Sequence, residues 1–240
     1  VADRPWPIPG LALAIVQGDR IVHLHGFGVA NPKGEAVTWE TPFILGSVSK
    51  SFTGMAVMQL VDAGKIELDA PIQRYLPWFH VADEAASAAI TVRHLLNQTN
   101  GIAEVAGLNN ATSDNVSDGA LEAQVRGFST ARLNHPAGEV FEYSNANYDI
   151  LSLIVQTVSG QTYGSYIQEH IFLPLEMTHA FTSEPEAMAQ GMATGHRFWF
   201  GRPLPFVAPY TLANQPSGFL IAGAEDMAHY LIAYLNNGTY

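Results

Sequence analysis

The sequence predicts an α+β fold in which an antiparallel sheet is flanked by helices and joined to a mostly helical subdomain. Two short apolar runs, Leu11–Gln17 and Ile21–Phe27, surround a Gly-Asp turn, a pattern typical of a β-hairpin. Two strongly apolar segments, Ser47–Ala63 and Tyr148–Ser159, have the length of buried helices. Few strand-like segments occur later in the chain, so we expect helices to dominate the remainder.

The composition is that of a globular protein with a substantial core, and it excludes several classes of function. The 240 residues are 48% hydrophobic, and 22 acidic side chains against 11 basic ones give a net charge of -11. This acidic excess argues against binding to nucleic acid or to anionic lipid. The chain has no cysteine, which excludes a disulfide, a zinc–thiolate site and a cysteine nucleophile. No apolar run is long enough to predict a membrane span.

The predicted hairpin needs further sheet strands, because an isolated two-stranded hairpin is only marginally stable in water. Residues 219–222, Phe-Leu-Ile-Ala, predict one short strand. We place residues 1–68 and 175–240 in an incomplete α/β subdomain and residues 69–174 in a mostly helical subdomain. This assignment predicts that the C-terminal strands of the sheet are missing from this chain. We expect a complementing C-terminal segment or a second chain to supply them.

The segment Ser47–Ala63 is apolar nearly all the way round, which is typical of a buried helix. Gly64 stands where a helix C-terminal cap is expected, and Gly160 stands in the same place after Ser159. Further helices are predicted to start at Asp69–Pro71 and to span Thr91–Leu96, Thr162–Ile171 and Ala224–Leu235, the last of them amphipathic. A loop is predicted at Ala103–Asp118 and an irregular stretch at Pro203–Pro216.

The pattern Ser47-Val48-Ser49-Lys50 at the start of that buried helix predicts an activated serine. Residues three apart share one helix face, so Lys50 is expected beside Ser47. A lysine favours deprotonation of a serine hydroxyl, and the helix N-terminus adds partial positive charge and backbone donors. The pattern also arises by chance, since the chain has 13 serines and three lysines. A buried lysine is costly unless it is paired or functional, which favours the catalytic interpretation.

A second polar cluster, Tyr143-Ser144-Asn145, precedes the apolar helix predicted to start near Tyr148. A tyrosine near an ammonium group can act as a base toward a serine, and an asparagine side chain can bind an amide substrate. The bare Tyr-x-Asn pattern is weak evidence, because it also occurs at residues 234–236, where core packing explains it.

Other catalytic motifs are absent from the sequence, and no metal or organic cofactor is implied. There is no Gly-x-Ser-x-Gly elbow, His-Glu-x-x-His helix or phosphate-binding loop. His23 and His25 alternate on one face of a predicted strand, but no third ligand stands nearby in sequence, so we interpret them as surface residues. We interpret His94 as structural.

Together these segments resemble the superfamily of serine β-lactamases and penicillin-binding proteins, in particular the branch of class C β-lactamases, D-Ala-D-Ala carboxypeptidases and β-lactamase-like carboxylesterases. The resemblance rests on residues 43–53 with the Ser-x-x-Lys pattern, 91–102 with His-Leu-Leu and a turn, 136–148 with Tyr-x-Asn, and 217–227. It implies a β-lactamase/transpeptidase-like fold, with Ser47 as the acylated nucleophile. Lys50 and Tyr143 would transfer protons, and Asn145 would bind the substrate's amide carbonyl.

The chain departs from this superfamily in one respect. The family's third motif, Lys/His-x-Gly on a late strand that also carries an oxyanion donor, has no counterpart in the sequence. We therefore expect the chain to be truncated relative to the family. Loss of one oxyanion donor costs roughly 3 kcal/mol, or a hundredfold or more in rate.

The resemblance implies a serine hydrolase acting on a small molecule or peptide: a β-lactam, a D-Ala-D-Ala peptide or an ester. The sequence does not choose among these substrates. The alternative is a catalytically silent module that binds peptidoglycan fragments or a protein partner. The absence of the third motif favours this alternative, and the presence of Ser47, Lys50 and Tyr143 argues against it. The resemblance further implies a periplasmic or extracellular location, or a cytoplasmic one for an esterase.

Overall fold

The computed structural model describes residues 8–104, 116–117, 119–207 and 209–240. The chain divides into two compact units. The first comprises Val1–Leu45, Gln168–Ala208 and Leu220–Tyr240, and the second comprises Gly46–Ile167 and Pro209–Phe219. The mixture of helices with small antiparallel sheets confirms the predicted α+β fold class.

The N-terminal hairpin is formed as predicted. Strands β1 (Gly10–Gln17) and β2 (Arg20–Gly28) pair antiparallel around a turn in which Gly18 has φ of 63°, the left-handed region that glycine adopts without strain. Among the described residues β1 pairs with β2 alone, so its other edge is open. Completion of this sheet by a further segment stays a prediction.

Two further strand pairs belong to the first unit. Strand β3 (Phe43–Ile44) pairs with β6 (Ile221–Ala222), which confirms the short strand predicted near residues 219–222. Strand β4 (His196–Trp199) pairs with β5 (Arg202–Pro205), so the prediction of an irregular stretch from Pro203 was wrong at its start. Proline is tolerated there because β5 is an edge strand of a two-stranded ribbon.

The helices of the second unit follow the apolar segments of the sequence. They are α1 (Ser49–Asp62), α2 (Glu84–Ala89), α3 (Val92–Leu96), α4 (Ala120–Arg126), α5 (Asn145–Ser159) and α6 (Tyr163–Ile167). Helix α1 packs against α5, α6 and the turn at Gln215–Phe219. Residues 105–115 and 118, within the predicted loop Ala103–Asp118, lie outside the described residues.

Helix α5 begins three residues earlier than predicted, at Asn145 instead of near Tyr148. The cause is local, because Ser144 takes the extended backbone of an N-cap, with φ of -148° and ψ of 131°. The helix ends as predicted at Gly160, which has φ of 76°. The earlier start places Asn145 in the first helical turn instead of in a loop.

The first unit contributes two described α-helices, α7 (Glu184–Ala189) and α8 (Ala224–Leu235), and a π-helical turn over Gln168–Phe172; α8 packs against β1. The α8 bounds match the predicted amphipathic helix. At its start, Asp226 is almost fully buried, and its carboxylate accepts hydrogen bonds from the backbone N–H groups of Gly223 (2.9 Å) and His179 (3.1 Å). Asp226 thereby joins the start of α8 to the segment before α7.

Replacing Asp226 with alanine is expected to lower the free energy of unfolding by about 3 kcal/mol. The change leaves two backbone N–H groups without their acceptor at a buried site, and each such loss costs about 1–3 kcal/mol. Urea unfolding measures the effect. Glu225→Ala, one residue earlier in the same helical turn, is the control and should cost less than 1 kcal/mol. Equal losses in the two variants would contradict the proposed capping role.

Candidate active site

Ser47 lies on the turn that leads into helix α1. Gly46, with φ of 55°, opens a 3₁₀ turn over Gly46–Val48, and α1 follows directly at Ser49. Ser47 is exposed, so its hydroxyl is accessible to a substrate. Its position at the helix N-terminus exposes it to the partial positive charge of unpaired backbone N–H groups.

Lys50 lies beside Ser47, as the three-residue spacing predicts. Its Nζ atom donates a hydrogen bond to Ser47 Oγ at 3.2 Å and another to the backbone carbonyl of Ser217 at 2.5 Å. Lys50 is one of three lysines in the chain, and only 7% of it is exposed. A buried ammonium group that is directed at a serine hydroxyl favours removal of the serine proton.

Tyr143 completes a hydrogen-bonded group of three. Its hydroxyl lies 2.7 Å from Ser47 Oγ, and Lys50 Nζ lies 5.0 Å from the centre of its ring. The tyrosine is 37% exposed, so it is open to the same solvent-facing side as Ser47. The structure therefore brings Ser47, Lys50 and Tyr143 together across 96 residues of sequence.

Asn145 is the fourth predicted site residue, and it lies two residues after Tyr143, as the first residue of α5. It is half-buried. Within the described part of the chain, its side chain makes no hydrogen bond to Ser47, Lys50 or Tyr143. Its role as the group that binds the substrate's amide carbonyl stays a prediction.

Gln98 holds the loop that carries Tyr143, and the sequence analysis missed it. Its side-chain Oε1 accepts hydrogen bonds from the backbone N–H of Ser144 (2.9 Å) and from Asn147 Nδ2 (2.5 Å), and its backbone carbonyl accepts from the N–H of Glu142 (2.8 Å). Gln98 is 6% exposed, and its φ of 59° is a backbone conformation that residues other than glycine rarely adopt. Nothing in its residue type signals this role.

Replacing Gln98 with methionine is expected to cost about 3 kcal/mol of stability, because two buried donors lose their acceptor. It should also slow covalent labelling of Ser47 at least tenfold, because Tyr143 is no longer held in place. Urea unfolding and the labelling rate measure the two effects. Gln73→Met removes a single partly buried hydrogen bond, to the Phe79 carbonyl, and serves as the control. An unchanged labelling rate in folded Gln98→Met protein would contradict the positioning role.

A buried polar cluster lies beneath the site. Gln124, Asp149 and Asn214 are 2%, 0% and 3% exposed. Gln124 Nε2 donates to Asp149 Oδ2 (2.6 Å) and to Asn214 Oδ1 (2.8 Å), and Ser217 Oγ donates to the Asn214 carbonyl (3.1 Å). Burial raises the pKa of Asp149 to about 7, while side-chain hydrogen bonds from Gln124 and Ser217 and the charge on Lys50 act to lower it. The sequence analysis did not identify any member of this cluster.

His23, His25 and His94 do not belong to the hydrogen-bonded group of Ser47, Lys50 and Tyr143. His23 and His25 are exposed on β2, and their rings stack 6.1 Å apart. His94 is structural, because its ring and Thr91 form the reciprocal hydrogen bonds of a capping box at the start of α3. Among the described residues, Glu40, His179 and Glu225 of the first unit bring potential ligand atoms within 4.8 Å of one another. Exposed acidic groups of this kind are common without an ion.

Comparison with known proteins gives a consistent result. The family model described as Beta-lactamase matches residues 2–240. Over 231 residues the chain is 30% identical to "Protein flp" of Staphylococcus aureus (strain MW2), covering 95% of this chain and 46% of that protein. It is 32% identical over 236 residues to "Penicillin-binding protein 4" of Amycolatopsis lactamdurans, covering 96% and 60% respectively.

A solved structure supports the same fold. The hydrolase EstCE1, described as having promiscuous acyltransferase activity, superposes with a TM-score of 0.84 at 23% identity over 97% of this chain and 69% of EstCE1. At that identity the likeness shows the fold, and it confirms the fold implied by the resemblance. The chain spans roughly half of the length of the curated relatives it matches. No helix among the described residues is long and apolar enough to cross a membrane.

Proposed function

The chain belongs to the beta-lactamase family, and from this we propose that it is a serine hydrolase that works through an acyl-enzyme on Ser47. One observation carries the proposal: Ser47 Oγ is hydrogen-bonded to both Lys50 Nζ and Tyr143 Oη, at 3.2 Å and 2.7 Å. A serine that is exposed to substrate and contacts two proton-transfer groups has the arrangement required of an activated nucleophile.

The proposed reaction has two halves. Ser47 Oγ attacks the substrate carbonyl carbon, forming a C–O bond, and its proton passes through Tyr143 and Lys50 to the leaving nitrogen or oxygen as that bond breaks. Water then adds to the ester of Ser47, releasing the acid and returning a proton to the serine. The backbone N–H of Ser47, at the start of α1, is a suitable donor to the oxyanion, and Asn145 is suited to bind the substrate's amide carbonyl.

The substrate is proposed to be a β-lactam, a D-Ala-D-Ala peptide or an ester. The similarity to a protein named for penicillin binding favours the first two, and the shared fold with a hydrolase that transfers acyl groups is compatible with the third. We further propose a periplasmic or extracellular site of action, because β-lactams and cell-wall peptides are met outside the cytoplasmic membrane. An ester substrate would fit a cytoplasmic location equally well.

We also propose that a complementing segment, from a longer polypeptide or a second chain, pairs with the open edge of β1. The unpaired N–H and C=O groups of that edge are available to a further strand. Leu11, Leu13 and Ile15 of β1 are 45%, 37% and 47% exposed and form an apolar row on one face of the sheet, which further chain packed on that face would cover. Hydrogen exchange tests this proposal: the outward-facing amides of β1 should exchange rapidly in this chain alone, and slow exchange would contradict it.

The direct test of the function is the intact mass of the chain over time after mixing with benzylpenicillin or with p-nitrophenyl acetate. The proposal predicts an acyl adduct, or consumption of the reagent without a lasting adduct, in the wild type and neither in Ser47→Ala. Ser51→Ala removes a serine hydroxyl one turn further along the helix and should react as the wild type does. Neither adduct nor consumption with either reagent would favour the silent binding module.

A further inference from the structure

The β4–β5 hairpin of the first unit carries two exposed aromatic side chains at its turn. Trp199 is the last residue of β4, and Phe200 follows it in the turn that leads to β5. Trp199 is 62% exposed, and Phe200, at 91%, is the most exposed large apolar side chain among the described residues. Their rings meet edge to face with centroids 5.2 Å apart. Both rings therefore face solvent and contribute little buried area to the fold.

The backbone at Phe200 is also unfavourable for its side chain. Phe200 has φ of 46° and Gly201 has φ of 76°, so both central residues of this two-residue turn are left-handed, as in a type I′ turn. Asn-Gly is the sequence that such turns prefer, and a bulky side chain at positive φ is destabilising. Phe200 thus lowers stability through its backbone without gaining burial for its ring. A residue of this kind points to contact with a partner.

The charge of the hairpin is opposite to that of the chain as a whole. No acidic residue lies between Glu186 and Glu225, although the net charge of the chain is -11. Arg197 and Arg202 lie in the hairpin and are exposed. In the part of the chain that the structure describes, no carboxylate is within ion-pair distance of either arginine. The acidic excess that argues against anionic lipid for the whole chain is therefore absent from this segment.

The strand register places the arginines beside the apolar side chains. Arg197 and Trp199 are two residues apart and so share one face of β4. Leu204 lies opposite Arg197, and Arg202 lies opposite Trp199. The Arg197 guanidinium also lies 5.0 Å from the centre of the Phe206 ring. An apolar surface with arginines at its margin suits the interface of a bilayer, where tryptophan is enriched and arginine extends toward the phosphates.

We propose that the tip of this hairpin, residues 197–204, inserts into the headgroup region of a lipid bilayer. Trp199 and Phe200 enter the boundary with the acyl chains, and Arg197 and Arg202 stay at the level of the phosphates. A tip of a few side chains is small beside the roughly 800 Å² that each partner contributes to a standard protein interface, whereas a bilayer accepts a small apolar projection. This proposal does not depend on the reaction proposed for Ser47.

Sedimentation with lipid vesicles tests the proposal. The wild type should bind vesicles of phosphatidylglycerol and phosphatidylcholine in equal amounts, and more tightly than vesicles of phosphatidylcholine alone. Phe200→Asn introduces the residue that the turn prefers, so it should fold at least as well as the wild type, which urea unfolding verifies. It should bind the mixed vesicles about tenfold more weakly, because the phenyl ring is lost from the apolar phase. Leu173→Asn removes a 63% exposed apolar side chain outside the hairpin, and this control should bind as the wild type does.

The charge contribution has its own pair of variants. Arg197→Gln combined with Arg202→Gln should remove the preference for phosphatidylglycerol, whereas Arg20→Gln combined with Arg132→Gln, two exposed positions outside the hairpin, should keep it. Failure of the wild type to bind either vesicle would overturn the proposal, and so would equal binding by Phe200→Asn. Self-association that Phe200→Asn abolishes, with no binding to vesicles, would also overturn it and would make a second copy of the chain the partner.

Discussion

Replacing Lys50 with methionine is expected to slow acylation of Ser47 about a thousandfold. The substitution keeps the unbranched apolar stem of the side chain but removes the Nζ atom that lies 3.2 Å from Ser47 Oγ. Groups that transfer or hold a proton in the transition state typically contribute between a hundredfold and ten-thousandfold in rate. The observed rate of adduct formation with benzylpenicillin, or of the acetyl ester with p-nitrophenyl acetate, measures the loss.

The matched control is Lys65→Met, which removes the same charge from an exposed position just beyond α1. It should be acylated at the wild-type rate. Thermal unfolding of both variants distinguishes a catalytic loss from loss of the fold, since Lys50 also donates to the Ser217 carbonyl. If folded Lys50→Met protein were acylated as fast as wild type, Lys50 would have no part in activating Ser47.

The part of this site that is local in sequence could be predicted from spacing, whereas the part that is assembled from distant segments was indicated only by the family resemblance or not at all. The proximity of Ser47 and Lys50 follows from helical spacing alone. The approach of Tyr143 depends on how α5 packs against α1, so the sequence indicated it through the order of motifs in a resembling family. Gln98 gives no such sign, because glutamine has no preference for the backbone conformation or the acceptor role that it takes here.

The same distinction holds for the fold. The hairpin, α8 and the end of α5 at Gly160 were predicted from periodicity and from glycine in left-handed turns. Strand β5 was not predicted, because its prolines are typical of loops, and only its pairing with β4 makes it a strand. Asp149 stands in an apolar segment where spacing cannot tell a buried acid from an exposed one. Its hydrogen-bonded surroundings include Gln124 and Asn214, which are contributed by other segments.

The stability of the chain is expected to fall as the pH rises through neutrality, and Asp149 is expected to cause a large share of the loss. Burial raises the pKa of Asp149 from 3.8 to about 7, so the folded chain holds this proton more tightly than the unfolded chain does. Its contribution to stability is therefore complete below a pH of about 4 and is lost as the pH rises through about 7. At roughly 1.4 kcal/mol for each pKa unit, the full loss is about 4 kcal/mol.

Urea unfolding at pH 5 and pH 8 measures this effect in the wild type and in Asp149→Asn. Between those values the wild type should lose about 3 kcal/mol more than the variant, because asparagine does not titrate. Asp226, whose pKa is also raised by burial, contributes equally to both proteins and cancels in the comparison. The direction is decisive: an interior carboxylate that was stabilised mainly by Lys50 would have a lowered pKa and would lose stability as the pH fell. A wild type that gains stability relative to Asp149→Asn between pH 5 and pH 8 would show that attraction to Lys50 outweighs burial at this position.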